Sequence, residues 1–79
     1  MKLYEFLLLD EQKQYQSVWD QGTFINQVVT TELTFMLYSI NDFYVEIHYD
    51  RGLNKVVGKQ PFKQGVYLEK YLNPIPKIL

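Results

Sequence analysis

The apolar positions along this chain change period several times, and each change marks an element. Residues 3–9 are almost continuously apolar, broken only by Glu5. Tyr4, Phe6 and Leu8 alternate with Leu3, Leu7 and Leu9, which reads as a strand covered on both sides. Asp10 is a good helix N-cap, and Glu11 puts negative charge in the first turn, where the helix dipole favours it. The spacing then predicts a helix over 11–21, with Tyr15, Val18 and Trp19 on one face at i, i+3 and i+4. That stripe makes Trp19 a candidate core anchor, and Gly22 a candidate left-handed stop.

Residues 23–31 are rich in β-branched side chains and predict a strand, with Asn26 and Gln27 marking its middle as exposed or irregular. Two stronger strand patterns follow, Leu33 to Ile40 and Phe43 to Tyr49. The Asn41-Asp42 pair between them suits a two-residue hairpin turn. A third strand, Lys55 to Gln60, follows a loop rich in Gly, Asn and Asp, and Pro61 stops it. Residues 66–72 pair Tyr67 with Tyr71 and Leu68 with Leu72 at i, i+4, as in a short helix. Prolines extend the apolar tail 73–79. The expected architecture is therefore one α+β domain over 1–79. Its element order is β-α-β-β-β-β, with a central antiparallel meander over 33–60, helix 11–21 on one face, and a short C-terminal helix.

A two-residue turn fixes the hairpin register. Ile40 faces Phe43, Tyr38 faces Val45, Met36 faces Ile47, and Thr34 faces Tyr49, so these form the core face beneath the helix. The other face carries Leu33, Phe35, Leu37 and Ser39 against Tyr44, Glu46, His48 and Asp50. A four-residue loop at 51–54 then sets Lys55 opposite Asp50, Val57 opposite His48, and Lys59 opposite Glu46. A one-residue slip would invert all of it. Leu33, Phe35, Leu37, Tyr44 and Val57 thus share an apolar area. It needs a cover: the C-terminal helix or tail, or a partner, most simply a second copy.

Composition narrows the function classes. The chain has 79 residues, 47% hydrophobic and 22% charged, a folded-protein profile. So short a chain buries only about 60% of its extended-chain surface. It has no cysteine, so disulfides and thiolate metal sites cannot reinforce it. Glu5 and Asp10 interrupt the first apolar run, which is not the pattern of a signal peptide. No run approaches the roughly 20 apolar residues that span a bilayer. The expected setting is cytoplasmic.

Charge divides unevenly. Residues 1–50 hold two lysines against eight acids, net −6, whereas 51–79 hold six cations against Glu69, net +5. Lys55, Lys59 and Lys63 lie near Phe62, Tyr67 and Tyr71, a candidate nucleic-acid patch. Against it stand the single arginine, the net charge of −1, and acidic neighbours these lysines can neutralise. No glycine-rich phosphate loop or nucleophile elbow is present. One histidine without cysteine excludes nearly all nucleophile–base pairs and zinc sites. Glu46, His48 and Asp50 share a strand face about 7 Å apart, which could form a general base or a weak metal site but reads more simply as a solvated face. The reading is no enzyme, no cofactor and no metal.

The run Phe43-Tyr44-Val45-Glu46-Ile47-His48-Tyr49, with Lys2-Leu3-Tyr4-Glu5-Phe6 and Val18-Trp19-Asp20-Gln21-Gly22, resembles small uncharacterised single-domain bacterial proteins. That resemblance implies a bacterial cytoplasmic setting and no activity, ligand or site. The function expected from the residues is a small non-catalytic protein-interaction module, working through a sheet face or the C-terminal tail. The alternative is weak nucleic-acid binding through the basic C-terminal third.

Overall fold

A computed structural model describes residues 1–65, 68 and 71. Two short helices, α1 (Leu3–Leu7) and α2 (Glu11–Gln21), precede four strands: β1 (Thr23–Val29), β2 (Leu33–Ile40), β3 (Phe43–Asp50) and β4 (Lys55–Phe62). The strands form one antiparallel sheet in sequence order, and the fold is α+β.

The first element departs from expectation. Residues 3–7 are helical, so the order begins α-α rather than β-α. The segment has no β-branched residue, and its leucines are good helix formers. Glu5 Oε1 accepts from the Lys2 backbone N–H at 2.7 Å, half of a capping box. Phe6 is then fully buried while Tyr4, Leu7 and Leu8 face outward. Gln14 Nε2 donates to Phe6 O at 3.0 Å, fastening α1 to α2.

Helix α2 has the expected bounds. Asp10 Oδ1 accepts from Lys13 N–H at 2.9 Å. Its end differs: Gly22 is extended (φ −76°, ψ 147°), not left-handed. Glycine is needed there for space, because a Cβ would lie 2.5 Å from Val18 O. The buried stripe is also shifted. Ser17 and Val18 are buried, whereas Trp19 is 48% exposed and is not a core anchor.

The β2–β3 hairpin has the expected register from Ile40↔Phe43 to Leu33↔Asp50. Asn41 takes φ 56°, the left-handed conformation the turn requires. Its side-chain Nδ2 donates to Met1 O at 3.1 Å, tying the turn to the start of α1.

The β3–β4 pairing departs from expectation after its first pair. Lys55 faces Asp50, but the register shifts between His48 and Tyr49. Val57 is extra, so Gly58 rather than Val57 faces His48, Gln60 rather than Lys59 faces Glu46, and Lys59 faces Ile47. A bulge suits an edge strand, and Gly58 lies beside the imidazole, where a Cβ would come 3.4 Å from Nδ1. Pro61 does not end β4, which continues to Phe62 with Pro61 opposite Val45. An edge strand tolerates the missing N–H.

The core face unites Phe6, Val18, Ile40, Phe43, Val45 and Ile47, each at most 2% exposed. Each such side chain contributes roughly 1.5–3 kcal/mol by leaving water. On the other face Leu37, Phe62 and Tyr71 form a second cluster, with Val28, Phe35, Tyr44 and Leu68 against it. The short helix over 66–72, apart from residues 68 and 71, and the tail 73–79 lie outside the described residues.

Candidate interaction surface

The apolar area expected on the second face is partly occupied by the chain itself. Leu37 is 1% exposed within the cluster it makes with Phe62 and Tyr71. Phe35 and Tyr44 are half-buried around it, and the Tyr44 and Phe62 rings stack at 5.5 Å. Leu33 is half-buried at the end of β2. Val57 has left the area, because the bulge carries it to an exposed position.

The polar trio separates as well. Glu46 is 2% exposed, with Oε1 at 2.7 Å from His48 Nε2 and Oε2 accepting from the Tyr71 hydroxyl at 2.8 Å. It is a buried carboxylate with good partners, not part of a solvated face. Phe35 meets the His48 ring edge-on at 5.2 Å. Burial pushes the Tyr71 phenol well above its ordinary range, and the hydrogen bond to Glu46 and that carboxylate's charge add to it. Asp50 keeps its place on that strand face, but its Oδ1 is engaged by the 51–54 loop, accepting from Leu53 N–H at 2.9 Å. Among the described residues no three His, Cys, Asp or Glu side chains cluster as metal ligands.

The lysines do not form one patch. Lys55 pairs with Asp50 at one end of β4. Lys63, past the other end, lies 3.3 Å from Asp42. They are eight positions apart along an extended chain, about 25 Å. Lys59 is on the helix face, its ammonium 3.7 Å from Glu11 and 4.7 Å from the centre of the Tyr15 ring. Burial, with Glu11 nearby, raises the Tyr15 phenol.

A different surface emerges where α2 meets β1. Tyr15 and Trp19 stack at 6.5 Å. Trp19 meets Tyr38 edge-on at 5.8 Å, and Phe24 meets the same ring edge-on at 5.6 Å. Trp19 and Phe24 are each about half exposed, so this row of rings opens to solvent at the sheet edge. Ile25, the bulged residue of β1, and Val29 are equally open. Of the seven residues of β1, only Val28 is even half-buried. The sequence pattern pointed at Asn26 and Gln27 as exposed but missed Phe24, Ile25 and Val29. A signal was present: Gln21 through Thr31 is an unbroken run without charge, closed by Asp20 and Glu32.

No protein-family model, curated protein or solved structure matches the chain. Among the described residues no helix is long and apolar enough to cross a membrane.

Proposed function

We propose that this chain is a small non-catalytic protein-interaction module of the bacterial cytoplasm, and that it takes an extended partner segment along β1. The observation that carries this reading is the contrast between the half-exposed ring row at the α2–β1 edge and the absence of any charge or proline on β1 itself. Exposed edges are ordinarily blunted by lysine, proline or bulges. Aromatic side chains dominate binding energy at protein interfaces, and Trp19 and Phe24 flank the open ladder as anchors.

Site-specific photo-crosslinking tests it. A photoreactive phenylalanine replaces Ile25 in cells that naturally make the chain, and Leu53, 62% exposed in the 51–54 loop, serves as the control. Protein adducts from position 25 and not from position 53 support the reading. Adducts to nucleic acid, equal adducts from both positions, or none from position 25 overturn it.

A further inference from the structure

We infer that the occupant of the β1 edge is a second copy of this chain, its β1 antiparallel to the first across a two-fold axis at Val28. This rests on the reading of β1 as a docking edge.

The two edges of the sheet are built differently. β4 carries Lys55, Lys59, the Val57 bulge and Pro61, each of which resists a further strand. β1 has one such device, the bulge at Ile25, and beyond it Asn26 to Val29 runs regularly. Hydrogen-bond direction alternates along a strand. Thr30 N–H donates inward to Leu33 O at 2.7 Å, so Val28 also faces β2, while Gln27 and Val29 face the open side. Gln27 shows this directly: its N–H rests on Asn26 Oδ1 at 2.8 Å, a side-chain stopgap at an exposed position.

An axis at Val28 uses these groups in phase. Gln27 lies opposite Val29 of the other copy and exchanges both backbone hydrogen bonds with it, and symmetry repeats the exchange. Val28 meets its own copy in the close, non-hydrogen-bonded pairing. Val28 already packs against the Leu37 cluster, so the apolar layer of the second face becomes continuous across the axis. The charge pattern is compatible with a like partner. The segment from Gln21 to Thr31, which contains all of β1, is neutral, so two copies set no like charges against each other, and a charged partner strand finds nothing to pair with. The contact is short, at the low end of interface size, so the dimer forms and separates readily. A dissociation constant on the order of 100 µM fits such an interface.

Sedimentation equilibrium over about 5 µM to 1 mM, bracketing that constant, tests the inference with three proteins: native, Gln27→Pro and Val29→Lys. Proline at 27 removes an outward donor and spares the ladder to β2, and lysine at 29 is an edge guard. The native mass rises from one chain towards two, and both variants stay near one chain at concentrations where the native protein is mostly paired. Melting at 5 µM confirms that both variants are folded; if Gln27→Pro is not, Val29→Lys decides alone. A native protein that stays at one chain mass throughout, or a folded variant that pairs like it, overturns the second copy. The crosslink at Ile25 separates this from failure of the docking reading. An adduct of twice the chain mass supports the copy, whereas an adduct of another mass keeps the docking edge and overturns the copy.

Discussion

The two faces of the sheet are closed in different ways. Under the helices, six side chains at most 2% exposed meet without a polar atom among their side chains, and α1 and α2 close them from the N-terminal side. The opposite face gathers three buried side chains and a buried carboxylate, and its cover includes Leu68 and Tyr71 from beyond the last strand. The buried side chains of the first layer are held by packing alone. The second depends on packing and on the hydrogen bonds of Glu46, so it is stabilised by geometry that one atom can break. A domain this small has a total stability of only about 5 kcal/mol or little more, so the difference is measurable.

The largest effect is expected in the first layer. Phe6→Ala removes a fully buried ring that lies 5.5 Å from Phe43 and leaves a cavity the fixed sheet cannot fill. A loss of about 3–5 kcal/mol is expected, enough to unfold most of the population. Chemical denaturation checks it; a variant within about 1 kcal/mol of native would mean that α1 is not part of the core.

In the second layer Glu46→Ala takes the acceptor 2.8 Å from the Tyr71 hydroxyl and the partner of His48 together. A loss of about 1–3 kcal/mol is expected, the usual result of stripping a buried donor of its partner. Glu46→Gln, which keeps an acceptor, should lose less. Equal losses for the two variants would show that the hydrogen bonds do not hold this face.

The second layer should also carry a distinctive alkaline response. The Tyr71 phenol is raised in the folded chain, first by burial and then by Glu46. The folded state therefore prefers the neutral phenol. Its contribution is complete below the ordinary tyrosine value near 10 and is lost as the pH rises towards the folded value. Tyr15 is raised in the same direction by burial and by Glu11, a smaller response on the helix side. Melting temperatures measured at pH 7, 10 and 11 should fall above pH 10 in the native protein and less steeply in Tyr71→Phe. Parallel curves for the two proteins would remove the titration from Tyr71.

Local signals made much of this fold readable from the chain. The Asn41-Asp42 turn fixed a whole hairpin register, because a two-residue loop leaves one pairing compatible with a buried face. Asp10 marked α2 to the residue. What stayed hidden depended mostly on contacts distant in sequence. An apolar run of seven residues suits a strand or a helix equally by period, and the Lys2–Glu5 cap with the Phe6–Phe43 contact selects helix. The bulge at Val57 has no turn residue to announce it, yet it moved Lys59 to the opposite face and broke up the lysine cluster. The buried state of Glu46 depends on Tyr71, twenty-five positions away. For the candidate surface, exposure of β1 was legible in Asn26 and Gln27, but its row of rings was not, because Trp19 reads as core by helical spacing.

Trp19 gives the smallest effect and the sharpest test of which face α2 presents. Helical spacing groups it with Val18, but neighbouring residues on a helix point about 100° apart, and Val18 takes the direction of the sheet. Trp19 is left at the rim, its ring against Tyr38 on one side and Tyr15 on the other, with nearly half its surface in water. Trp19→Ala then loses two ring contacts and part of an apolar area but opens no cavity. A cost of about 1–1.5 kcal/mol is expected, well below the 3–5 kcal/mol of a buried aromatic. Val18→Ala, at a fully buried position one residue earlier, should cost more despite its smaller side chain. Denaturation of the two variants side by side decides the orientation. A larger loss from Trp19 would rotate α2 about its axis, bury the indole, and leave the β1 edge with Phe24 but without Trp19 as an anchor.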